Sequence, residues 1–90
     1  MIKNTYSFKD KTAVITGGAQ GFGLDIAKKF LKFGAKVIIW DIDSDLLDKV
    51  KKDLNDNNLS SYIVDVSKFE IVKNTVDAIS NKSNIDILIN

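Results

Sequence analysis

Four short runs rich in β-branched and aliphatic residues recur along the chain: Thr12 to Thr16 (TAVIT), Lys36 to Trp40 (KVIIW), Ser61 to Val64 (SYIV) and Ile85 to Ile89 (IDILI). Three of them are nearly continuous in Val, Ile and Leu, the pattern of strands covered on both faces of a parallel sheet. Between the runs, apolar residues repeat at spacings of three and four: Leu24, Ala27 and Leu31, then Leu46, Val50 and Leu54, then Phe69, Val72, Val76 and Ile79. Each set forms one stripe on a helix. Ser67 with Glu70 makes a capping-box pattern that starts the third helix near Lys68, and Gly34 stands where the first helix should end. Strand and helix thus alternate through three right-handed βαβ crossovers. The expected fold is α/β, a doubly wound parallel sheet with spatial strand order 3-2-1-4.

Composition narrows the function classes. A chain of 90 residues has room for one unit and no second domain. It divides into an N-terminal extension, 1–11, and one unit over 12–90. With 44% hydrophobic and 28% charged residues it is an ordinary globular sequence. Lys/Arg and Asp/Glu interleave to a net charge of +1, without the basic stripe that nucleic acid or an anionic membrane would require. A small-molecule partner is expected. The absence of Cys and His removes disulfides, thiolate nucleophiles, the commonest zinc ligands and imidazole bases, so no metal is expected. Met1 to Lys11 lacks any apolar run and reads as neither signal peptide nor membrane span, which points to the cytoplasm.

The chemistry concentrates where the first strand runs into the first helix, at Thr16-Gly17-Gly18-Ala19-Gln20-Gly21-Phe22-Gly23. In a loop of this kind one glycine makes the turn, another lets the backbone approach a pyrophosphate, and the last lets the helix pack closely on the strand. The phosphates then face the free N–H groups and positive dipole end of the helix. Gly17, Gln20, Gly21, Phe22 and Gly23 are the candidate phosphate-binding residues. Eighteen residues beyond Gly23, the second strand ends at Asp41, where a dinucleotide-binding Rossmann fold places the acid that bonds the adenosine ribose. Such an acid repels a 2′-phosphate. Together with the lack of Arg or Lys beside Asp41 and of Arg at Gln20, this favours NAD over NADP.

These residues resemble the short-chain dehydrogenases/reductases. Thr16, Gly17, Gly21 and Gly23 reproduce the family's Thr-Gly-x-x-x-Gly-x-Gly cofactor signature, with Phe22 in place of its more usual Ile or Leu. Asp65-Val66 resembles the family's Asp-Val pair, and the resemblance implies that Asp65 approaches the adenine amino group while Val66 lies under the ring. Asp86-Ile-Leu-Ile-Asn90 resembles the family's fourth strand, which runs into Asn-Asn-Ala-Gly. The same resemblance places Asn90 where the adenosine and nicotinamide sides meet.

What the resemblance implies beyond the cofactor is incomplete here. The family's catalysis uses a Ser and a Tyr four residues before a Lys. Tyr6 is followed at that spacing by Asp10 and Tyr62 by Val66, so both tyrosines read as packing or surface residues and no catalytic residue is assigned. The leading reading is the NAD(H)-binding part of an oxidoreductase that interconverts an alcohol and a ketone, inactive alone. Its parent is expected to be a homo-oligomer acting on a sugar, steroid or fatty-acyl carbonyl, among which fold analogy does not choose. Alternatives are a non-catalytic nucleotide-binding module completed by a partner chain and a fragment of an S-adenosylmethionine-dependent transferase.

Overall fold

A computed structural model of the chain describes residues 8–82 and 84–90. Its elements are β1 (Thr12–Thr16), α1 (Gly21–Lys32), β2 (Lys36–Asp41), α2 (Ser44–Leu54), β3 (Leu59–Ile63), α3 (Phe69–Ser80) and β4 (Ile87–Ile89). The strands form one parallel sheet in the order β3-β2-β1-β4. This is the expected doubly wound arrangement. Val14 of β1 stands opposite Ile38 on one side and Leu88 on the other.

Alternation along the strands sends successive residues to opposite faces, and two cores result. Ile15, Val37, Ile39 and Leu59 pack with Ala27 of α1 and with Leu47 and Val50 of α2. Val14, Ile38, Trp40 and Val64 pack with Ile79 of α3, and Val72 and Val76 lean on them from the same helix. Ala13, Val14 and Ile15 have no exposed surface at all, as befits one of the sheet's two interior strands. The middle of the third apolar stripe packs as expected. Its first member does not: Phe69 is 74% exposed, because it opens α3 beyond the edge of the core.

The helix ends follow local chemistry. At α1 the N–H of Ala35 reaches the Phe30 carbonyl and that of Gly34 the Leu31 carbonyl, both at 3.0 Å. This is the Schellman pattern, closed at Gly34 as its position predicts. At α2 the Asp43 side chain accepts from the Leu46 N–H at 3.1 Å and serves as N-cap. The capping box expected at Ser67 and Glu70 is absent. The N-cap of α3 is Lys68, without a side-chain cap, because the Ser67 hydroxyl is committed to Asp65 at 2.6 Å. The β3 run also starts earlier than its apolar residues suggest, at Leu59, and ends at Ile63, one residue short of the expected Val64.

Within the expected N-terminal extension, Phe8 is already part of the structure. Its ring meets Phe30 edge-on at 5.1 Å and its N–H donates to the Phe33 carbonyl at 2.8 Å. Tyr6 lies outside the described residues, and Tyr62 is half-buried beside the Trp40 core. The other end of the sheet is less covered. Among the described residues β4 pairs on one side only, and Leu88 is 60% exposed.

Because β1 has no surface to relax into, Ile15→Ala should cost about 3 kcal/mol of unfolding free energy. Ser60→Ala, at an exposed position of β3, should stay within about 0.5 kcal/mol of the parent. Urea unfolding followed through the single tryptophan checks both.

Candidate functional site at the C-terminal ends of the strands

The loop that joins β1 to α1 needs its glycines for two different reasons, backbone conformation and close packing. Gly17 has φ +64° and Gly21 φ +60°, a region that L side chains rarely adopt, and at both positions the space a side chain would take is open. Gly23 is required for a different reason. A Cβ there would lie 2.5 Å from the Gly17 carbonyl oxygen and 2.9 Å from the Gly18 Cα, so the first turn of α1 rests directly on the loop. Gly18, which the motif leaves free, is also constrained, though by a side chain. Its absent side chain would lie 2.8 Å from Ile39 Cγ2, a packing requirement that only the identity of the second-strand residue beneath it could have signalled.

The amino end of α1 carries no cap of its own. Gln20 occupies the N-cap position without a side-chain hydrogen bond, and no acidic residue stands in the first turn. Among the described residues no side chain accepts from the N–H groups of Gly21, Phe22 and Gly23, which leaves the helix end ready for an anion. The Phe22 ring stands 88% exposed beside it.

The ends of β2 and β3 supply the rest. Gly17 N–H donates to the Trp40 carbonyl at 2.7 Å, which brings the start of the glycine loop against the end of β2. A cleft of about 200 Å3 opens there, lined by Gly17, Trp40, Asp41, Ile42, Val64, Asp65 and Val66. Ile42 and Val66 are 66% and 60% exposed, apolar surface held open beside two carboxylates. Asp65 Oδ1 accepts from the Ser67 hydroxyl at 2.6 Å and the Ser67 N–H at 3.0 Å. These two bonds, the hydroxyl first, hold the carboxyl below the usual carboxylate range.

Four of the expected residues, Gly17, Asp41, Asp65 and Val66, therefore share one cleft. Gln20 and Gly21 border a second, of about 270 Å3, between α1 and α2. Asn90 borders a third, of about 360 Å3, between β4 and α3, which also includes Trp40 and Val66 and so adjoins the first. The Thr16 hydroxyl lies 3.3 Å from the Ile89 carbonyl and 3.2 Å from Asn90 Oδ1. Its single proton serves one acceptor at a time, and either choice ties the exit of β1 to that of β4. Trp40 and Ile42 were not expected at the site. Neither carries a chemical motif, and only their places on either side of Asp41 bring them there. A fourth cleft, bordered by Thr12, Lys36 and Lys82, lies where β1 and β2 begin, the end of a parallel sheet opposite the one where α/β folds bind ligands.

The profile of the short-chain dehydrogenase family matches residues 11–90. The chain belongs to this family. Among its relatives is the short chain aldehyde dehydrogenase 1 of Euphorbia lathyris, 42% identical over 80 residues, a match covering 87% of this chain and 28% of that protein. A 3-oxoacyl-(acyl-carrier-protein) reductase of Chlamydia muridarum is 36% identical over 85 residues, covering 90% of this chain and 34% of the reductase. Among solved structures, the 2-keto-3-deoxy-D-gluconate dehydrogenase of Streptococcus agalactiae superimposes with a TM-score of 0.85 at 35% identity, covering 97% of this chain and 34% of the enzyme. The chain thus spans about a third of the length of the relatives it matches. Short-chain dehydrogenases are oxidoreductases with nicotinamide dinucleotide cofactors. No described helix of this member is long and apolar enough to cross a membrane, and no group of three potential metal-ligating side chains occurs among the described residues.

Two substitutions probe this geometry. Gly23→Ala should lower stability by about 2 kcal/mol, since the contact it violates is backbone on both sides and cannot yield as a side chain would. Thermal unfolding of the variant measures it. Ser67→Ala should move the Asp65 titration upward toward the ordinary carboxylate range, read by carboxyl carbon NMR. The carboxyl is depressed in the folded state, so the stability it lends is present above the unfolded pKa and is lost as pH falls through the folded one.

Proposed function

We propose that this chain is the NAD(H)-binding portion of a short-chain dehydrogenase that interconverts an alcohol and a ketone. The observation that carries the reading is the uncapped amino end of α1 set beside a cleft that holds Asp41, Asp65 and Val66. The residues present fit a dinucleotide. In this reading the N–H groups of Gly21, Phe22 and Gly23 hold the pyrophosphate, with Gly17 and Gln20 shaping the loop around it. Asp41 accepts from the adenosine ribose hydroxyls and repels a 2′-phosphate, which makes NAD the preferred cofactor. Asp65 receives the adenine amino group, and Ile42 and Val66 give the ring apolar surface. Asn90, held beside Thr16, stands between the adenosine and nicotinamide sides. The bound nicotinamide supplies the hydride donor or acceptor.

The chain contains no Tyr-x-x-x-Lys, so in this reading it is inactive alone and the proton-transferring groups come from further polypeptide. Residues 1–11 are then an extension and 12–90 the first part of one Rossmann domain, in a cytoplasmic parent that assembles as a homo-oligomer. The names of its relatives span an acyl-carrier ketone and a keto-sugar acid, and fold analogy does not choose between such classes. The single-sided pairing of β4 supports a second reading, a nucleotide-binding module completed by a partner chain that adds the next strand. Membership in a dehydrogenase family leaves the S-adenosylmethionine reading without support.

Calorimetric titration with NAD+ and NADP+ is the test. NAD+ should bind more tightly, and Asp41→Ala should weaken it about tenfold, the loss of one charge-assisted hydrogen bond, while narrowing its advantage over NADP+. An unchanged preference would show that Asp41 does not read the ribose. Binding of S-adenosylmethionine without NAD+ would overturn the whole assignment.

A further inference from the structure

The Asp41 carboxylate is already occupied before any cofactor arrives. Oδ2 accepts from the Ala19 N–H at 3.3 Å and Oδ1 from the Asp43 N–H at 3.2 Å. The Asp41 carbonyl accepts from the Val64 N–H at 3.0 Å. One residue therefore bonds the glycine loop, the turn into α2 and the exit of β3, three segments that come together at the β2 end of the cleft. The connections differ in kind. The glycine loop is fixed to β2 at its entry by backbone, from Gly17 to Trp40, and the intervening Gly18 lies flat on Ile39. At its exit the tie from β2 is the Asp41 side chain. Asp43, whose N–H takes the other oxygen, is the residue that caps α2 through Leu46.

Resting on the cofactor reading above, we infer that Asp41 is a positioning residue as well as a ribose acceptor. Its carboxylate sets the spacing between the glycine loop and the start of α2 in the unliganded protein. The two functions do not compete. A carboxylate offers about four lone-pair sites, two of which are used here, so two ribose hydroxyls can be added without releasing either N–H. The bond to Asp43 lies at the long end of the usual N–H···O range and that to Ala19 just beyond it, so both restrain the carboxylate weakly. The consequence concerns specificity. Exchanging Asp41 for a neutral residue removes the repulsion toward a 2′-phosphate and, in the same stroke, loosens the loop that both dinucleotides need.

Amide hydrogen exchange of the unliganded protein, resolved by residue in NMR spectra, tests this without any cofactor. In Asp41→Ala the Ala19 and Asp43 amides should exchange about fivefold faster than in the parent, while Val14 and Ile38 in the core exchange as before. In Asp41→Asn, whose single carbonyl oxygen can serve one of the two donors, one of these amides should keep the parent's protection and the other lose it. Should Asp41→Ala unfold, the Asn variant alone decides. Parent-like exchange at both amides in a folded variant overturns the positioning role. The ribose reading is reported separately by the NAD+ to NADP+ preference. Faster loop exchange with an unchanged preference keeps the positioning role and removes the ribose contact, and a changed preference with parent-like exchange does the reverse.

Discussion

Everything at this site depends on how closely α1 approaches the turn that leaves β1. Gly23 lies so near the Gly17 carbonyl that no side chain fits between them, and this contact fixes both the direction of the helix and the place of its amino end. From there the consequences run outward. The uncapped first turn faces the cleft, Ala19 is buried within reach of Asp41, and the loop's entry is bonded to the Trp40 carbonyl of β2. A larger residue at Gly23 would tilt the helix, and the loop, the carboxylate and the anion-ready N–H groups would lose their common origin.

Much of this was legible in the sequence because the signals were redundant. Aliphatic runs with helical stripes between them specify the alternation, and the likeness of the glycine loop to a Rossmann fold supplies the strand order. The glycine spacing and the distance to Asp41 point to where the candidate site lies. What could not be read was anything decided between segments. Ser67 matched a capping box, yet a carboxylate two residues before it was the stronger partner and took its hydroxyl. Phe69 continued a helical period, but period alone does not say where the sheet beneath a helix ends. Ile42 and Trp40 entered the site solely through their neighbours, and the bonds from Asp41 to Ala19 and Asp43 depend on a fold that brings residue 19 beside residue 41.

The two faces of the sheet are unequally finished. On one, α1 and α2 cover Ile15, Val37 and Ile39 from both sides of the strand crossing. On the other, among the described residues, α3 is the helix that covers Val14, Ile38 and Trp40, and the trough between α3 and β4 is lined by Val72, Val76, Ile85 and Leu88. The Trp40 indole N–H is buried there with no acceptor among the described residues. A buried donor in this state is costly, and a neighbouring segment that brought a carbonyl to it would gain from the contact.

The pairing of β1 has a consequence for synthesis. Its N–H at Thr12 bonds to the Asp86 side chain, and the Asp86 N–H bonds back to the Thr12 carbonyl, across nearly the whole length of the chain. One edge of β1 can be matched once β2 has emerged from the ribosome, but the other waits for β4. At typical elongation rates that interval is on the order of 2–10 s. For that time a strand that ends up fully buried carries an open edge, so the nascent chain is exposed to mispairing until β4 exists.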